Sequence, residues 1–176
     1  MSETSPVTVV LVAVGGYGHT YVNALLDQPQ PERARVVGVV DPFADGCKRI
    51  AEIRQRGIPI YADIEEFYAR HQAELAVISS PIHLHCRLTC AALGYGSHVL
   101  CEKPVAGTIQ EARQMQAASA RSGRFAAIGY QWSFSPAVQA LKRDLLAGRL
   151  GAPKRLRTLV LWPRNEAYYG RNNWAG

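Results

Sequence analysis

Six short apolar segments alternate with amphipathic segments through the first 128 residues, and this alternation limits the chain to very few folds. The predicted strands are residues 7–14, 35–41, 58–61, 74–79, 98–101 and 125–128. The predicted helices between them are residues 19–26, with Tyr21 among the apolar positions, 44–55, 64–71, 83–93 and 109–119. Asp63 and Thr108 are the expected N-caps of the third and fifth helices, and Pro59 predicts that the third strand lies at an edge. Short links between alternating strands and helices are typical of a parallel sheet with helices on both faces. The sequence therefore predicts an α/β domain over residues 1–128, a doubly wound parallel sheet of the Rossmann type.

The pattern changes after residue 128. Ser135 and Pro136 predict the N-cap and first position of a helix that runs to Leu146. Residues 154–162 then alternate basic and apolar side chains, which predicts a half-exposed strand of a different, antiparallel sheet. Because a lone strand cannot bury its apolar face, we predict that residues 129–176 begin a second, α+β domain that is incomplete in this sequence.

Charge and hydropathy exclude several classes of protein. The net charge is +6, but the basic residues are spread along the chain, and their spacing does not indicate a nucleic-acid-binding element. No apolar run approaches the ~20 residues that cross a bilayer, and the N-terminus lacks the basic segment of a signal peptide. We therefore expect a cytoplasmic protein that binds neither nucleic acid nor membranes.

The four cysteines are expected to be reduced thiols, as is usual in the cytoplasm. His83, Cys86 and Cys90 have the spacing of one helix face, which leaves a zinc site open as an alternative. Such a site needs a fourth ligand and usually has tighter spacing. We therefore predict no metal.

A glycine-rich turn follows the first predicted strand. Residues 13–18 read Ala-Val-Gly-Gly-Tyr-Gly, which is the G-x-G-x-x-G pattern with alanine at its first position. Gly15 lets the backbone approach a pyrophosphate, Gly18 lets the helix pack closely on the strand, and the helix N-terminus offers N–H groups to phosphate. Gly15, Gly16, Tyr17 and Gly18 are therefore predicted to bind a dinucleotide. A tight turn without a ligand is the alternative.

Asp41 ends the second predicted strand, 23 residues after Gly18. A carboxylate at this place accepts hydrogen bonds from the adenosine ribose hydroxyls and repels a 2′-phosphate. Asp41 therefore predicts NAD as the cofactor. Lys48 and Arg49 follow closely and leave NADP open, and an exposed aspartate without a ligand is the structural alternative.

Two further polar segments follow the fourth and fifth predicted strands. Ser79, Ser80 and Pro81 are predicted to face the cofactor, since ligands of such sheets bind beyond the carboxyl ends of the strands. A serine–proline turn that caps a helix is the alternative. Glu102 and Lys103 follow the fifth strand, and a lysine held beside a nicotinamide ring is suited to proton transfer. The alternative is a surface charge pair.

The order of these motifs resembles the glucose–fructose oxidoreductase, inositol dehydrogenase and rhizopine-catabolism family (Gfo/Idh/MocA). The matching segments are residues 15–19, Asp41, Ser80 and Pro81 with His85, residues 102–104, and residues 129–136. The resemblance covers about residues 7–162, and the tripeptide Glu-Lys-Pro is its most specific part. The chain resembles the N-terminal portion of such a protein.

The resemblance implies a role for several residues. It makes Lys103 the catalytic residue, places Glu102 near the cofactor ribose, and implies a cis peptide bond before Pro104. His85 and Gln131 join the cofactor-binding set. Members of the family transfer a hydride between NAD or NADP and a carbon of a sugar or cyclitol, so the resemblance implies an NAD(P)-dependent dehydrogenase for such polyols. It also implies that residues 129–176 begin the substrate domain and that the parent protein is a homo-oligomer.

Two features depart from the family pattern. Ser133 stands where many members carry arginine, which puts a polar or anionic substrate contact in doubt. The family's catalytic histidine, preceded by an aspartate, has no counterpart, because no Asp-x-x-x-His follows Trp162 and the last histidine is His98. We expect a fragment that is inactive alone or, alternatively, a non-catalytic dinucleotide-binding sensor or regulatory module. The aromatic and amide-rich residues 168–174 fit a sugar site or a surface loop equally well.

Overall fold

The computed structural model describes residues 5–30 and 32–170, and the chain divides into two compact units that meet between Gln131 and Trp132. The first unit is built on a six-stranded sheet with strand order β3-β2-β1-β4-β5-β6 and parallel pairing throughout. The strands are β1 Val7–Val12, β2 Ala34–Val40, β3 Ile60–Tyr61, β4 Leu75–Ile78, β5 His98–Cys101 and β6 Ala126–Ile128. The predicted doubly wound Rossmann sheet is confirmed.

Five helices cover the two faces of this sheet. They are α1 Gly18–Leu26, α2 Ile50–Gln55, α3 Ile64–Tyr68, α4 His85–Gly94 and α5 Ile109–Ser122. Along β1, Val10 and Val12 belong to one apolar cluster, whereas Val9 and Leu11 belong to the other. The central strand is therefore buried on both faces, as its apolar sequence predicted.

Local signals set several helix boundaries. The Asp63 carboxylate accepts hydrogen bonds from the backbone N–H groups of Glu65 and Glu66 at the start of α3. Thr108 and Glu111 form a reciprocal capping box at the start of α5. Both caps were predicted from the sequence and are confirmed.

The helix predicted over residues 44–55 is wrong in its first half. The structure has a 3₁₀ turn at Ala44–Gly46 and a separate helix, α2. Cys47 lies between them with an extended backbone (ψ 125°), and its side chain is 3% exposed. Cys47 thus belongs to the same apolar cluster as Val9 and Leu11.

The second unit contains α6 Pro136–Leu146 and α7 Glu166–Tyr169. The Ser135 hydroxyl accepts a hydrogen bond from the Val138 N–H and Pro136 opens α6, as predicted. The strand predicted over residues 154–162 is wrong, because the structure assigns no strand there. Leu156 and Leu161 are 91% and 84% exposed. A strand needs a partner for its backbone groups, and the described residues provide none for this segment.

Ala13 has φ +66°, the left-handed region that favours glycine. Because this conformation costs an L-residue ~1–2 kcal/mol, and glycine loses more backbone entropy on folding, Ala13→Gly is expected to raise the free energy of unfolding by ~0.5–1 kcal/mol. Urea unfolding monitored by circular dichroism measures the change. Ala112→Gly, inside α5, is the matched control and should lower stability by ~1 kcal/mol. A loss of stability in Ala13→Gly would contradict the strain assigned to this turn.

Candidate functional site

The carboxyl ends of five strands lie in one row. Val12 pairs in register with Val40 and with Ile78, and the register continues through Cys101 to Ile128. The next residue along each strand therefore reaches the same edge of the sheet. These five residues are Ala13, Asp41, Ser79, Glu102 and Gly129. Three of the predicted site residues are thus brought together by strand register.

The glycine turn is closed by contact between α1 and the end of β1. A Cβ atom on Gly18 would overlap the Ala13 carbonyl oxygen and lie 2.8 Å from the Ser79 Oγ atom. The Ser79 hydroxyl donates a hydrogen bond to that same carbonyl oxygen at 2.8 Å. The predicted packing role of Gly18 is confirmed, and Ser79 has a structural role that the sequence did not indicate. Whether Ser79 also binds cofactor stays a prediction.

The glycine turn is open to solvent space at two of its residues. Open space surrounds the positions that Cβ atoms would occupy on Gly15 and Gly16. No side chain caps the start of α1, although the Gly18 and Thr20 N–H groups donate to the Gly15 and Tyr17 carbonyl oxygens. His19, in the first turn of α1, has a buried Nδ1 atom without a hydrogen-bond partner among the described residues. These features fit an anionic ligand at the helix N-terminus.

Asp41 is held in place by two backbone groups. Its Oδ2 atom accepts a hydrogen bond from the Val14 N–H at 2.9 Å, and its Oδ1 atom accepts one from the Phe43 N–H at 2.8 Å. Each carboxylate oxygen keeps a lone pair for a further donor. The carboxylate is therefore oriented at the sheet edge, beside the glycine turn.

Arg49, which the sequence offered as a possible partner for the 2′-phosphate of NADP, forms ion pairs with two carboxylates. Its guanidinium forms a bidentate pair with Asp27 and a further ion pair with Glu52. The hydrogen bonds from Arg49 hold the pKa of the Asp27 and Glu52 carboxyls below their usual range. An arginine committed to two carboxylates is a poor partner for a 2′-phosphate, which favours NAD.

Glu102 is buried at the end of β5, with 6% of its surface exposed. The Tyr21 hydroxyl on α1 donates to its Oε1 atom at 2.6 Å, and the Lys103 backbone N–H donates to its Oε2 atom at 3.1 Å. Burial, followed by the hydrogen bond to Glu102, raises the pKa of Tyr21 well above its usual value. A Cβ atom on Gly129 would lie 2.8 Å from Oε1, so the carboxylate occupies the space that this glycine leaves.

The segment that follows Glu102 is anchored by a histidine. The Lys103–Pro104 peptide bond is cis, as the family resemblance implied. His85 is 1% exposed, and its ring nitrogens lie 2.9 Å from the Pro104 carbonyl oxygen and 3.0 Å from the Ser80 carbonyl oxygen. The buried His85 ring thus connects the backbone after β4 to the backbone after Lys103. Its predicted direct contact with cofactor stays a prediction.

The remaining predicted residues are accessible. Lys103 and Pro81 are exposed at the ends of β5 and β4, and Tyr17 is 49% exposed beside the glycine turn. Gln131 is exposed at the end of the first unit. Tyr168 and Tyr169 form part of α7, and residues 171–174 of the aromatic tail lie outside the described residues.

Tyr21 and Gly129 were missed by the sequence analysis. Tyr21 was taken as one of the apolar positions of α1, and its hydroxyl bond spans 81 residues of sequence. The one available signal is a hydroxyl-bearing aromatic residue three positions after Gly18, on the face that packs against the sheet. Gly129 is the residue immediately after β6, where a glycine leaves space at the sheet edge.

Two of the thiols are made less acidic by burial. Burial raises the pKa of Cys101 to about 12 and that of Cys86 to about 11. Over residues 5–30 and 32–170, no group of three or more His, Cys, Asp or Glu side chains has an arrangement that could hold a metal ion. Within the same residues, the helices are too short or too polar to span a membrane.

Comparison with known proteins identifies the family. Residues 7–130 match the model of the GFO_IDH_MocA oxidoreductase family, NAD-binding Rossmann fold. Inositol 2-dehydrogenase 1 of Saccharopolyspora erythraea is 31% identical over 148 residues, which are 84% of this chain and 43% of that protein. Inositol 2-dehydrogenase of Rubrobacter xylanophilus is 29% identical over 164 residues, which are 93% of this chain and 45% of that protein. The chain spans less than half the length of these relatives.

Solved structures show the same fold. The WlbA dehydrogenase of Chromobacterium violaceum, solved with NADH and UDP-GlcNAcA, superimposes with a TM-score of 0.84 at 24% identity, over 100% of this chain and 51% of that one. An NAD-binding oxidoreductase of Klebsiella pneumoniae gives a TM-score of 0.70 at 28% identity, over 85% of this chain and 41% of that one. The motifs, the sheet and the family match agree: the chain belongs to the Gfo/Idh/MocA oxidoreductase family and carries its NAD-binding Rossmann domain.

Proposed function

We propose that this chain is the cofactor-binding part of an NAD-dependent dehydrogenase that acts on a sugar, a cyclitol or a related polyol. The observation that carries the proposal is the single row at the carboxyl edge of the sheet, where Asp41, Ser79 and Glu102 follow in-register strand ends. The substrate class is supported by relatives named inositol 2-dehydrogenase and 1,5-anhydro-D-fructose reductase.

The row divides the cofactor between two halves of the sheet. Asp41 follows β2, on one side of the strand-order reversal between β1 and β4, and would accept hydrogen bonds from the adenosine ribose. Gly15 and Gly16, before α1, would hold the pyrophosphate through backbone N–H groups. Glu102 and Lys103 end β5 on the other side and face the nicotinamide half. Ser80, Pro81 and Gln131 complete the set of residues predicted to bind the cofactor.

Bound NAD supplies the hydride acceptor or donor for the reaction. Lys103 holds or moves the proton of the reacting hydroxyl, a role that needs an accessible amine on a fixed backbone. The backbone on its two sides is fixed by Glu102, which is bonded to Tyr21, and by Pro104, which is bonded to His85. These anchors hold the backbone from which the exposed side chain extends.

The alternative function is a dinucleotide-binding sensor or regulatory module without turnover. It is kept as an alternative because no histidine follows His98 in these 176 residues. In the proposed dehydrogenase, residues 129–176 instead begin a substrate domain that supplies a further acid–base group, and the parent protein assembles as a homo-oligomer.

Two measurements distinguish these functions. Titration calorimetry of residues 1–176 with NAD+ tests binding, and absorbance at the NADH band with a panel of sugars and inositols tests turnover. The same assay is run on a form extended through the downstream reading frame. We expect binding by both forms and turnover only by the longer one. Absence of NAD+ binding would contradict the dehydrogenase and the sensor alike, whereas turnover by residues 1–176 would contradict the need for a second domain.

Asp41→Ala is expected to weaken NAD+ binding by ~1–3 kcal/mol, because the ribose hydroxyls lose an oriented acceptor. Calorimetry on residues 1–176 measures the loss. Asp45→Ala is the matched control, since Asp45 is exposed and pairs only with Arg54 among the described residues. Equal affinity of Asp41→Ala and the parent chain would remove the ribose assignment. Tighter binding of NADP+ than of NAD+ by the parent chain would overturn the cofactor choice.

A further inference from the structure

The third strand of the sheet is much shorter than the strand with which it pairs. β3 pairs only with the last two of the seven residues of β2. Just before β3, the Ile58 N–H donates to the Ile53 carbonyl oxygen instead of to β2, and Pro59 has no N–H to donate. Among the described residues, the earlier positions of β2 therefore have no partner strand on the side of β3.

A cavity of about 690 Å³ lies beside this unpaired part of β2. Its lining includes residues 34–37 of β2 and residues 57–59, which precede β3. Leu25 and Leu26 of α1 also line it, and together with Ile58 they are half-buried and pack against the apolar core. The volume is within the range of ~300–1,000 Å³ that is usual for small-molecule sites. The cavity therefore has an apolar floor and room for a small ligand.

The charged side chains of the lining are both positive. They are Arg35 and Arg56, and none of the described carboxylates lines the cavity. Arg35 forms no ion pair among the described residues, and Arg56 donates to the Glu52 carboxylate through its Nη2 atom alone. Glu74 bonds to Thr8 of the lining but does not itself line the cavity. Because a guanidinium carries five N–H donors, most donors of the two arginines remain available to a ligand.

The cavity is distant from the edge of the sheet that is proposed to bind the dinucleotide. It lies at the amino end of β2, whereas Asp41 follows the carboxyl end. Asp41 comes six positions after Arg35. At about 3.3 Å per residue, the two positions are about 20 Å apart. A ligand in the cavity would therefore leave the cofactor row open.

We propose that this cavity is a second binding site, which takes a small carboxylate with an apolar body. Arg35 and Arg56 bind the carboxylate, since the planar guanidinium fork matches its two oxygens. The half-buried leucines of α1 and Ile58 accept the apolar body, which leaves water when it binds. The inference does not depend on the proposed function, because none of these residues belongs to the cofactor row.

Hexanoate is the probe for this site, and amide NMR spectra of residues 1–176 locate its binding. Hexanamide keeps the body without the charge, and acetate keeps the charge without the body. We expect saturable shifts at the Gly57 and Ile58 amides, with hexanoate binding at least about fivefold more tightly than either analogue. The same shifts should persist with NAD+ in excess. Their suppression by NAD+ would overturn the inference, since hexanoate would then compete with the dinucleotide.

Arg35→Gln and Arg56→Gln are each expected to weaken hexanoate binding about tenfold, because each removes charged donors to the carboxylate. Arg33→Gln is the matched control, since this exposed arginine lies two positions before Arg35 but outside the lining. Its affinity should stay within about twofold of the parent chain, because an exposed charge outside the site is screened. Absence of saturable shifts at Gly57 and Ile58 in the parent chain overturns the inference. Equal affinity for hexanamide or acetate does so too, as does an equal loss in Arg33→Gln.

Discussion

Lys103→Ala is expected to lower kcat by ~10²–10⁴-fold, the usual contribution of a positioned proton-transfer group, in whichever form of the protein turns over a polyol. Lys103 is exposed and makes no side-chain hydrogen bond among the described residues, so the melting temperature should change little. Steady-state kinetics with NAD+ and thermal unfolding of the same preparation measure the two effects. Lys142→Ala, on α6, removes a lysine outside the row and should retain the parent rate.

Chemical rescue separates proton transfer from a loss of shape. Added alkylamines should restore part of the rate of Lys103→Ala, because a small amine can occupy the space left by the side chain. They should not accelerate the parent enzyme. Full turnover by the unrescued variant would end the catalytic assignment, and so would a structure with bound cofactor in which Lys103 points away from the nicotinamide.

Gly18→Ala is expected to destabilise the first unit by about 3 kcal/mol, near the upper range for overpacking. The new methyl group would overlap the Ala13 carbonyl oxygen, which belongs to the backbone and cannot rotate away. Separation of α1 from β1 would also disturb the bond from Ser79 to that oxygen. Urea unfolding followed by circular dichroism measures the change.

Gly15→Ala is the matched control for this prediction. Open space surrounds its Cβ position, so stability should change by less than about 1 kcal/mol. Affinity for NAD+ should fall nevertheless, because a methyl group would stand where the pyrophosphate approaches the backbone. Equal stability losses in the two variants would contradict the assignment of the close contact to Gly18 alone.

Features with a local physical cause were predicted well from the sequence. The caps at Asp63 and Thr108 need only the side chain and the next turn of helix. Pro59 predicted an edge strand, and β3 lies at the edge of the sheet. The glycine turn and Asp41 were found because their spacing follows from one strand–helix–strand unit.

Features that depend on distant partners were not predictable in this way. The Tyr21 hydroxyl has a use only because Glu102 ends a strand 81 residues later. His85 was predicted to bind the cofactor. The structure buries its ring between Ser80 and Pro104, and this burial depends on how β4 and β5 pair. The alternation in residues 154–162 predicted a strand that the structure does not contain, because a strand forms only with a neighbour to pair with.

The two backbone bonds of Asp41 limit how this protein could evolve a new cofactor preference. Relatives that adopt NADP must remove the carboxylate that repels the 2′-phosphate. Here that carboxylate also accepts hydrogen bonds from the N–H groups of Val14 and Phe43. Its removal therefore breaks two backbone hydrogen bonds at once. A hydroxyl side chain has one oxygen for these two donors. Arg49 is already committed to Asp27, so the exposed Lys48 is the neighbouring cation that remains for a phosphate. A change of cofactor preference at position 41 therefore also loosens the backbone around the glycine turn, and a second substitution has to restore it.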